Sequence, residues 1–143
     1  MPDTSTPDLS FEVDDLPPVT TEGPFVLGAG HRQAERVRAL LTAARVAAQA
    51  RGWTATTGPV ALDVVLRYPP GHRTAQAASL LGGIAAALQD RKRIGQVGLV
   101  RLGPLGNTAL YADERQIRRL SSREEPAADY SYQVRVTALP VPV

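Results

Sequence analysis

Val60-Ala61-Leu62-Asp63-Val64-Val65-Leu66-Arg67 is the stretch that decides the fold. Its larger apolar residues stand at every second position, which is the period of a β-strand with one buried face. The opposite face mixes alanine and valine with Asp63 and Arg67. Pro59 opens the stretch and Pro69-Pro70-Gly71 ends it, because proline cannot donate to a strand ladder. A strand with one apolar face needs a second layer to pack against.

Helical patterns on both sides of this strand supply that layer. From His31 to Arg51, apolar residues recur at spacings of three and four, and Gly52 stands at the expected C-terminal stop. Ala75 to Gln89 predicts a second helix. Gly82-Gly83 in its middle costs about 1 kcal/mol per glycine relative to alanine, so tertiary packing must hold this helix. Its outward face is nearly all alanine, which is unusual for a surface exposed to water.

Three further strands complete the predicted sheet. Leu9–Val13 and Tyr132–Ala138 alternate apolar and polar residues, and Gln116–Arg123 predicts another strand. With a turn at Glu124-Glu125-Pro126, the last two strands are expected to form a hairpin. The sequence therefore predicts an α+β fold, a mixed sheet with two helices packed on it. Residues 1–8 are expected to be a mobile tail, residues 9–143 a single domain, and residues 90–108 an inserted arm.

Composition excludes several classes of protein. The 143 residues contain no cysteine, so disulfide frameworks, thiol nucleophiles and zinc fingers are excluded. Two histidines are too few for a histidine-rich metal site. No stretch approaches 18 consecutive apolar residues, and the N-terminus has no basic region followed by an apolar run. We therefore expect no membrane span and a cytoplasmic protein.

The charges are unevenly distributed. Residues 1–30 hold six acids and no lysine or arginine, whereas residues 31–143 hold all 16 basic residues and eight acids, a net charge of +8. All the basic residues except Lys92 are arginine, whose planar guanidinium binds two phosphate oxygens at once. Two readings stay open: selection for phosphate binding, or an arginine content that only follows the alanine-, glycine- and proline-rich composition.

One motif resembles a known family. Tyr111-Ala112-Asp113-Glu114-Arg115-Gln116-Ile117 is similar to the Tyr-x-Asp-Asp-x-Gln-Ile segment of the RusA family of Holliday-junction resolvases. The order of elements over about residues 9–139 also resembles that family, although strong local identity is confined to the motif. The resemblance implies a RusA-like fold, a homodimer, and a magnesium-dependent endodeoxyribonuclease ancestry.

The family's metal ligands are mostly replaced. The resemblance aligns Gln76 and Ala78 with the two leading aspartates of the family's second helix, Ser79 with its asparagine and Gly82 with its lysine. Only Glu114 keeps a carboxylate where the family has its third metal-binding aspartate, and Asp113 stands just before it. The loop after the first strand, basic in the family, is here acidic and neutral over residues 17–30.

The chemistry of the residues agrees with a lost site. Magnesium-dependent phosphodiester cleavage needs carboxylate oxygens that converge on the ion, and the chain has no acid between Asp63 and Asp90. Asp113 and Glu114 are neighbours, and in an extended strand they point to opposite faces. We therefore predict no catalytic residue and no cofactor. Asp63, Asp113 and Glu114 are the residual candidates for a rebuilt site, the one case in which magnesium would bind.

Three functions remain open. The first is a catalytically inactive, dimeric RusA-like domain that binds nucleic acid or serves as a scaffold. The candidate nucleic-acid contacts are all basic: Arg32, Arg36, Arg38, Arg91, Lys92, Arg93, Arg115, Arg118 and Arg119. The second is a protein-interaction module without DNA, whose alanine-rich helix face packs against an unknown protein partner. The third is an active metal-dependent endonuclease that uses the three residual carboxylates.

Overall fold

A computed structural model describes residues 8–17, 31–71, 77–89 and 108–140, with side chains described from Glu35 in the first helix and from Leu80 in the second. Its elements in chain order are β1 (Asp8–Val13), α1 (His31–Arg51), β2 (Val60–Tyr68), α2 (Ala77–Ala87), a single 3-10 turn (Glu114–Gln116), β3 (Ile117–Pro126) and β4 (Ser131–Ala138). The predicted tail up to residue 7, and the predicted arm up to residue 107, lie outside the described residues. Asp8, assigned to the tail by the sequence, is instead the first residue of β1.

The four strands form one mixed sheet in the order β1-β4-β2-β3. β4 is antiparallel to both of its neighbours, and β3 is parallel to β2. The predicted α+β class, with two helices on a mixed sheet, is confirmed. Among the described strands, β1 and β3 are the two edges of the sheet.

The predicted hairpin between the last two strands is wrong, because β2 lies between β3 and β4. The physical reason is burial. β4 alternates buried residues with partly buried or exposed ones, as an interior strand with one covered face does, whereas β3 is exposed from Arg118 to Glu124 and can only lie at an edge. The predicted turn at Glu124-Glu125-Pro126 is also wrong, since these residues continue β3 and the chain turns after them. The Ala127 amide donates to the Tyr68 carbonyl at 3.1 Å, which directs the chain across the end of β2.

The core lies between one face of the sheet and the two helices. Leu62 and Val64 of β2 are buried against it, as are Leu9 of β1 and Val134 of β4. The predicted apolar stripe of α1 is confirmed by four side chains that are fully buried: Val37, Leu40, Leu41 and Ala44. Gly52 ends α1 with a positive φ of 66°, a conformation that favours glycine.

The second helix is surrounded by protein. Ala85, Ala86 and Ala87 retain only 7%, 6% and 0% of their exposure, and Ile84 is fully buried. The expectation of an outward alanine face open to a partner is therefore wrong for these residues. Burial on all sides also explains how a helix with two central glycines is held, because its stability comes from packing rather than from helix propensity. No helix in the described part of the chain is both long and apolar enough to cross a membrane.

Candidate functional site

The motif of residues 111–117, together with Leu110 just before it, forms the junction between the two helices and the sheet. The Leu110 amide donates to the Leu88 carbonyl at 2.8 Å, and the Ala112 amide donates to the Thr56 carbonyl at 3.1 Å. Tyr111 therefore makes a β-bridge to Gln89, just after α2, and another to Thr56, after α1. The Tyr111 hydroxyl is buried and donates to the Ala85 carbonyl at 2.6 Å. Burial raises the pKa of Tyr111 well above its ordinary value, which keeps this donor protonated.

Gln116 stabilises the junction through both the nitrogen and the oxygen of its side-chain amide. Its Nε2 donates to the carbonyls of Thr56 and Gly58, each at 2.8 Å, and its Oε1 accepts from the Asp113 amide at 2.7 Å. The Asp113 side chain in turn accepts from the Arg115 amide at 2.8 Å. The two side chains form a capping box that starts the 3-10 turn. In this chain, the Asp113 and Gln116 side chains of the motif therefore stabilise the local backbone.

The residual carboxylates serve separate structural bonds. Asp113 forms an ion pair with Arg115 at 2.9 Å. Asp63 lies on β2, where it faces Arg119 at 3.5 Å and accepts a hydrogen bond from the Ser121 hydroxyl. Glu114 begins the 3-10 turn, so it does not continue the extended backbone of Asp113 as the strand expectation assumed. Within the ranges that the structure describes, no three histidine or acidic side chains are grouped closely enough to hold a metal ion.

Glu114 sits in an environment that disfavours its charge. Partial burial raises its pKa above the ordinary value of 4.5, and the neighbouring Asp113 carboxylate raises it further. Because the folded state binds this proton more tightly than the unfolded chain, the stability contributed by protonated Glu114 is present at low pH and is lost as pH rises through the raised pKa.

Glu114→Gln is therefore expected to increase stability slightly at neutral pH, by less than about 1 kcal/mol because the side chain is partly solvated. The increase should disappear at about pH 3, where glutamate is protonated in both states. Urea midpoints of the two proteins at both pH values check this. An equal difference at both pH values would show that the substitution acts through packing instead of through charge.

The outer face of the sheet, turned away from the helices, carries an ion-pair lattice. The strand register places Asp63, Arg67, Arg119, Arg123, Glu125 and Arg135 on this face together with Asp8 and Glu12. Arg67 pairs with Glu12 at 2.5 Å and with Glu125 at 3.1 Å. Every other arginine of the lattice also has a carboxylate partner: Arg119 with Asp63, Arg123 with Glu125 and Arg135 with Asp8. The four arginines are thus matched by four acids.

The candidate nucleic-acid residues are scattered over the described structure. Arg36 is half-buried and Arg38 is exposed, both on α1. Arg115 and Arg119 are exposed but ion-paired, with 88% and 59% of their side chains accessible. Arg118 is exposed on β3, and no carboxylate within ion-pair distance of it is found in the described ranges. The side chain of Arg32 and the whole of the Arg91-Lys92-Arg93 cluster lie outside the described residues.

Sequence reasoning missed the outer-face lattice and the Gln116 clamp, which consists of the three hydrogen bonds between the Gln116 side chain and backbone groups. The signal for the lattice was present, because strand alternation already places Asp63 and Arg67 on one face of β2 and Arg135 on one face of β4. What was missing was the strand order that makes these faces neighbours.

Comparison of the sequence with protein-family models gave no match, and comparison with curated proteins gave none either. The resemblance to the RusA family therefore rests on the motif and the order of elements alone.

Proposed function

We propose that this chain is a catalytically inactive, RusA-like domain of the cytoplasm that works as a homodimeric scaffold. The observation that carries the proposal is that acidic and basic side chains form ion pairs with each other within the fold. Two of the three residual carboxylates, Asp63 and Asp113, form ion pairs within the fold, and so do the arginines of the outer face.

The carboxylates support the inactive part of the proposal. To bind magnesium, Asp113 would have to leave both its ion pair with Arg115 and the amide that it caps. Asp63 would have to leave Ser121 and Arg119 on a different element. A catalytic metal site is built the other way round, with surrounding groups that orient the ligands toward the ion.

The arginines support a scaffold over a nucleic-acid binder. Contacts between arginine and the phosphates of a nucleic acid gain much of their binding energy from the release of cations condensed around the nucleic acid. An arginine already paired with a carboxylate must give up that pair to reach a phosphate, and the nearby carboxylate repels the phosphate. The lattice therefore makes the outer face a charge-balanced surface, which suits a protein partner better than a polyanion.

The test is a binding and cleavage assay on the purified chain. We expect no cleavage of four-way-junction or duplex DNA with magnesium or manganese, and only weak binding to either DNA between about 50 and 200 mM salt. Fluorescence anisotropy and denaturing gels provide the two readouts. Cleavage that Glu114→Ala abolishes would contradict the proposal and establish a rebuilt nuclease site.

Nucleic-acid binding is the second candidate function, and the exposed Arg118 is the observation that favours it. If this function is correct, Arg118→Ala should weaken DNA binding and reduce the slope of log K against log salt by about one. Arg45→Ala, an exposed arginine of α1 that is not among the predicted contacts, is the matched control. Equal affinity for the two variants would exclude Arg118 as a phosphate contact.

A further inference from the structure

We propose that the β3 edge is the surface through which two copies of this chain associate, so that their sheets join into one sheet of eight strands. The inference rests on the proposed homodimeric function and names the surface and the register. β3 is an edge strand in the described sheet, and its residues from Arg118 to Glu124 are all exposed.

The edge is unusually open for a strand of this length. Leu120 keeps 49% of its exposure although it lies on the same face of the sheet as the buried Leu62 beside it. A long edge strand presents a row of backbone groups that the sheet itself does not pair, and this row is a template for pairing with another strand. A second copy is an occupant that satisfies these groups with an identical edge.

Symmetry limits how two such edges can pair. When a two-fold axis relates two antiparallel edge strands, both copies turn the same face of their sheets to the same side. A residue of one copy must therefore lie directly opposite a residue that belongs to the same face in the other copy. The longest overlaps that meet this condition are centred on Ser121, where residues 117–125 pair, or on Ser122, where residues 118–126 pair.

The charges of β3 distinguish the two registers. Centred on Ser121, the pairing places Arg118 opposite the partner's Glu124 but also Arg119 opposite the partner's Arg123, each twice by symmetry, so a destabilising pair of like charges offsets the favourable pair. Centred on Ser122, the pairing places Arg119 opposite the partner's Glu125, again twice, and Ser121 opposite the partner's Arg123. Only the second of these registers opposes unlike charges without also opposing like charges.

The outer-face lattice extends across this seam without interruption. Within one copy, Arg119 reaches Asp63 at 3.5 Å and Glu125 reaches Arg67 at 3.1 Å. Both seam residues remain accessible, with 59% of the Arg119 side chain and 37% of the Glu125 side chain exposed. In the dimer, acids and arginines alternate from Asp63 through Arg119 to the partner's Glu125 and Arg67.

The first test is a charge exchange. Arg119→Glu and Glu125→Arg should each weaken self-association at least tenfold in analytical ultracentrifugation, because each variant opposes like charges twice. An equimolar mixture of the two variants should form a heterodimer at least as tight as the native dimer, since both seam pairs are then opposite in charge. A purely structural defect in either variant cannot be repaired by mixing. Arg45→Glu, away from the seam, is the control.

The second test uses the absence of cysteine from the chain. Ser122→Cys should form an intermolecular disulfide under mild oxidation, because self-opposed residues have Cα atoms about 4.5–5.5 Å apart, within disulfide range. Ser121→Cys should form little, because its counterpart lies two residues along the partner strand, too far to be bridged.

The outcomes separate this inference from the function on which it rests. A native dimer that ignores the charge exchange and does not cross-link at Ser122 overturns the β3 seam and leaves the scaffold in place. Cross-linking at Ser121 instead of Ser122 overturns the register. A native chain that stays monomeric at roughly tens of micromolar overturns both the seam and the homodimeric function.

Discussion

Gln116→Ala is expected to lower the free energy of unfolding by about 2–3 kcal/mol, because it removes three hydrogen bonds between the side chain and backbone groups. The groups are the carbonyls of Thr56 and Gly58 and the amide of Asp113, all within 2.8 Å of the Gln116 amide atoms. The substitution also opens the capping box that starts the 3-10 turn. Urea denaturation followed by circular dichroism measures the loss.

Two control variants define what the loss means. Gln49→Ala removes the same side chain from an exposed position on α1 and should change stability by less than about 0.5 kcal/mol. Gln116→Glu keeps the shape of the side chain but replaces the donating nitrogen with a second acceptor, so it should destabilise the fold about as much as alanine does. A Gln116→Ala protein as stable as the native chain would show that water replaces the clamp at no cost.

Leu40→Ala is expected to lower the free energy of unfolding by about 2–5 kcal/mol, the range found for deletion of a buried leucine side chain. Leu40 has no exposed surface and belongs to the core between α1 and the sheet. The loss has two parts, the transfer of the missing methyl and methylene groups and the cavity that remains. The unfolding midpoint in urea, at an unchanged m-value, is the measurement.

Val46→Ala is the matched control on the same helix, because Val46 keeps 63% of its exposure. Alanine has the higher helix propensity, so this change should cost nothing or stabilise α1 slightly. If the two substitutions have similar effects, the stripe that includes Leu40 does not face the core and the orientation of α1 is wrong.

Periodicity predicted the elements of the fold but not all of their neighbours. The apolar stripe of α1 and the alternation in β2 each report which face is buried, and both agree with the structure. The hairpin failed because alternation within a strand carries no information about which strand lies beside it. The pairing of β3 with β2 depends on contacts between residues such as Asp63 and Ser121, which are far apart in the sequence.

The candidate site was predictable only as a set of residue types. The sequence identified Asp63, Asp113 and Glu114 as the remaining acids, but their actual bonds depend on the strand order and on a 3-10 turn. The role of Gln116 was not visible, because its acceptors are two carbonyls in a loop before β2. Hydrogen bonds to backbone carbonyls leave no mark on the residues that supply them.

The insertion of β4 between β1 and β2 determines the order in which the sheet can be completed during synthesis. β1 is made early, yet its partner in the described sheet is β4, and Asp8 pairs with Thr137. Until β4 has left the ribosome, the apolar side chains of β1 have no neighbouring strand and the inner edge of β2 is unpaired. Such long-range pairing slows folding and leaves strand edges exposed to other chains. The nascent chain is therefore most vulnerable to aggregation just before its last described strand emerges.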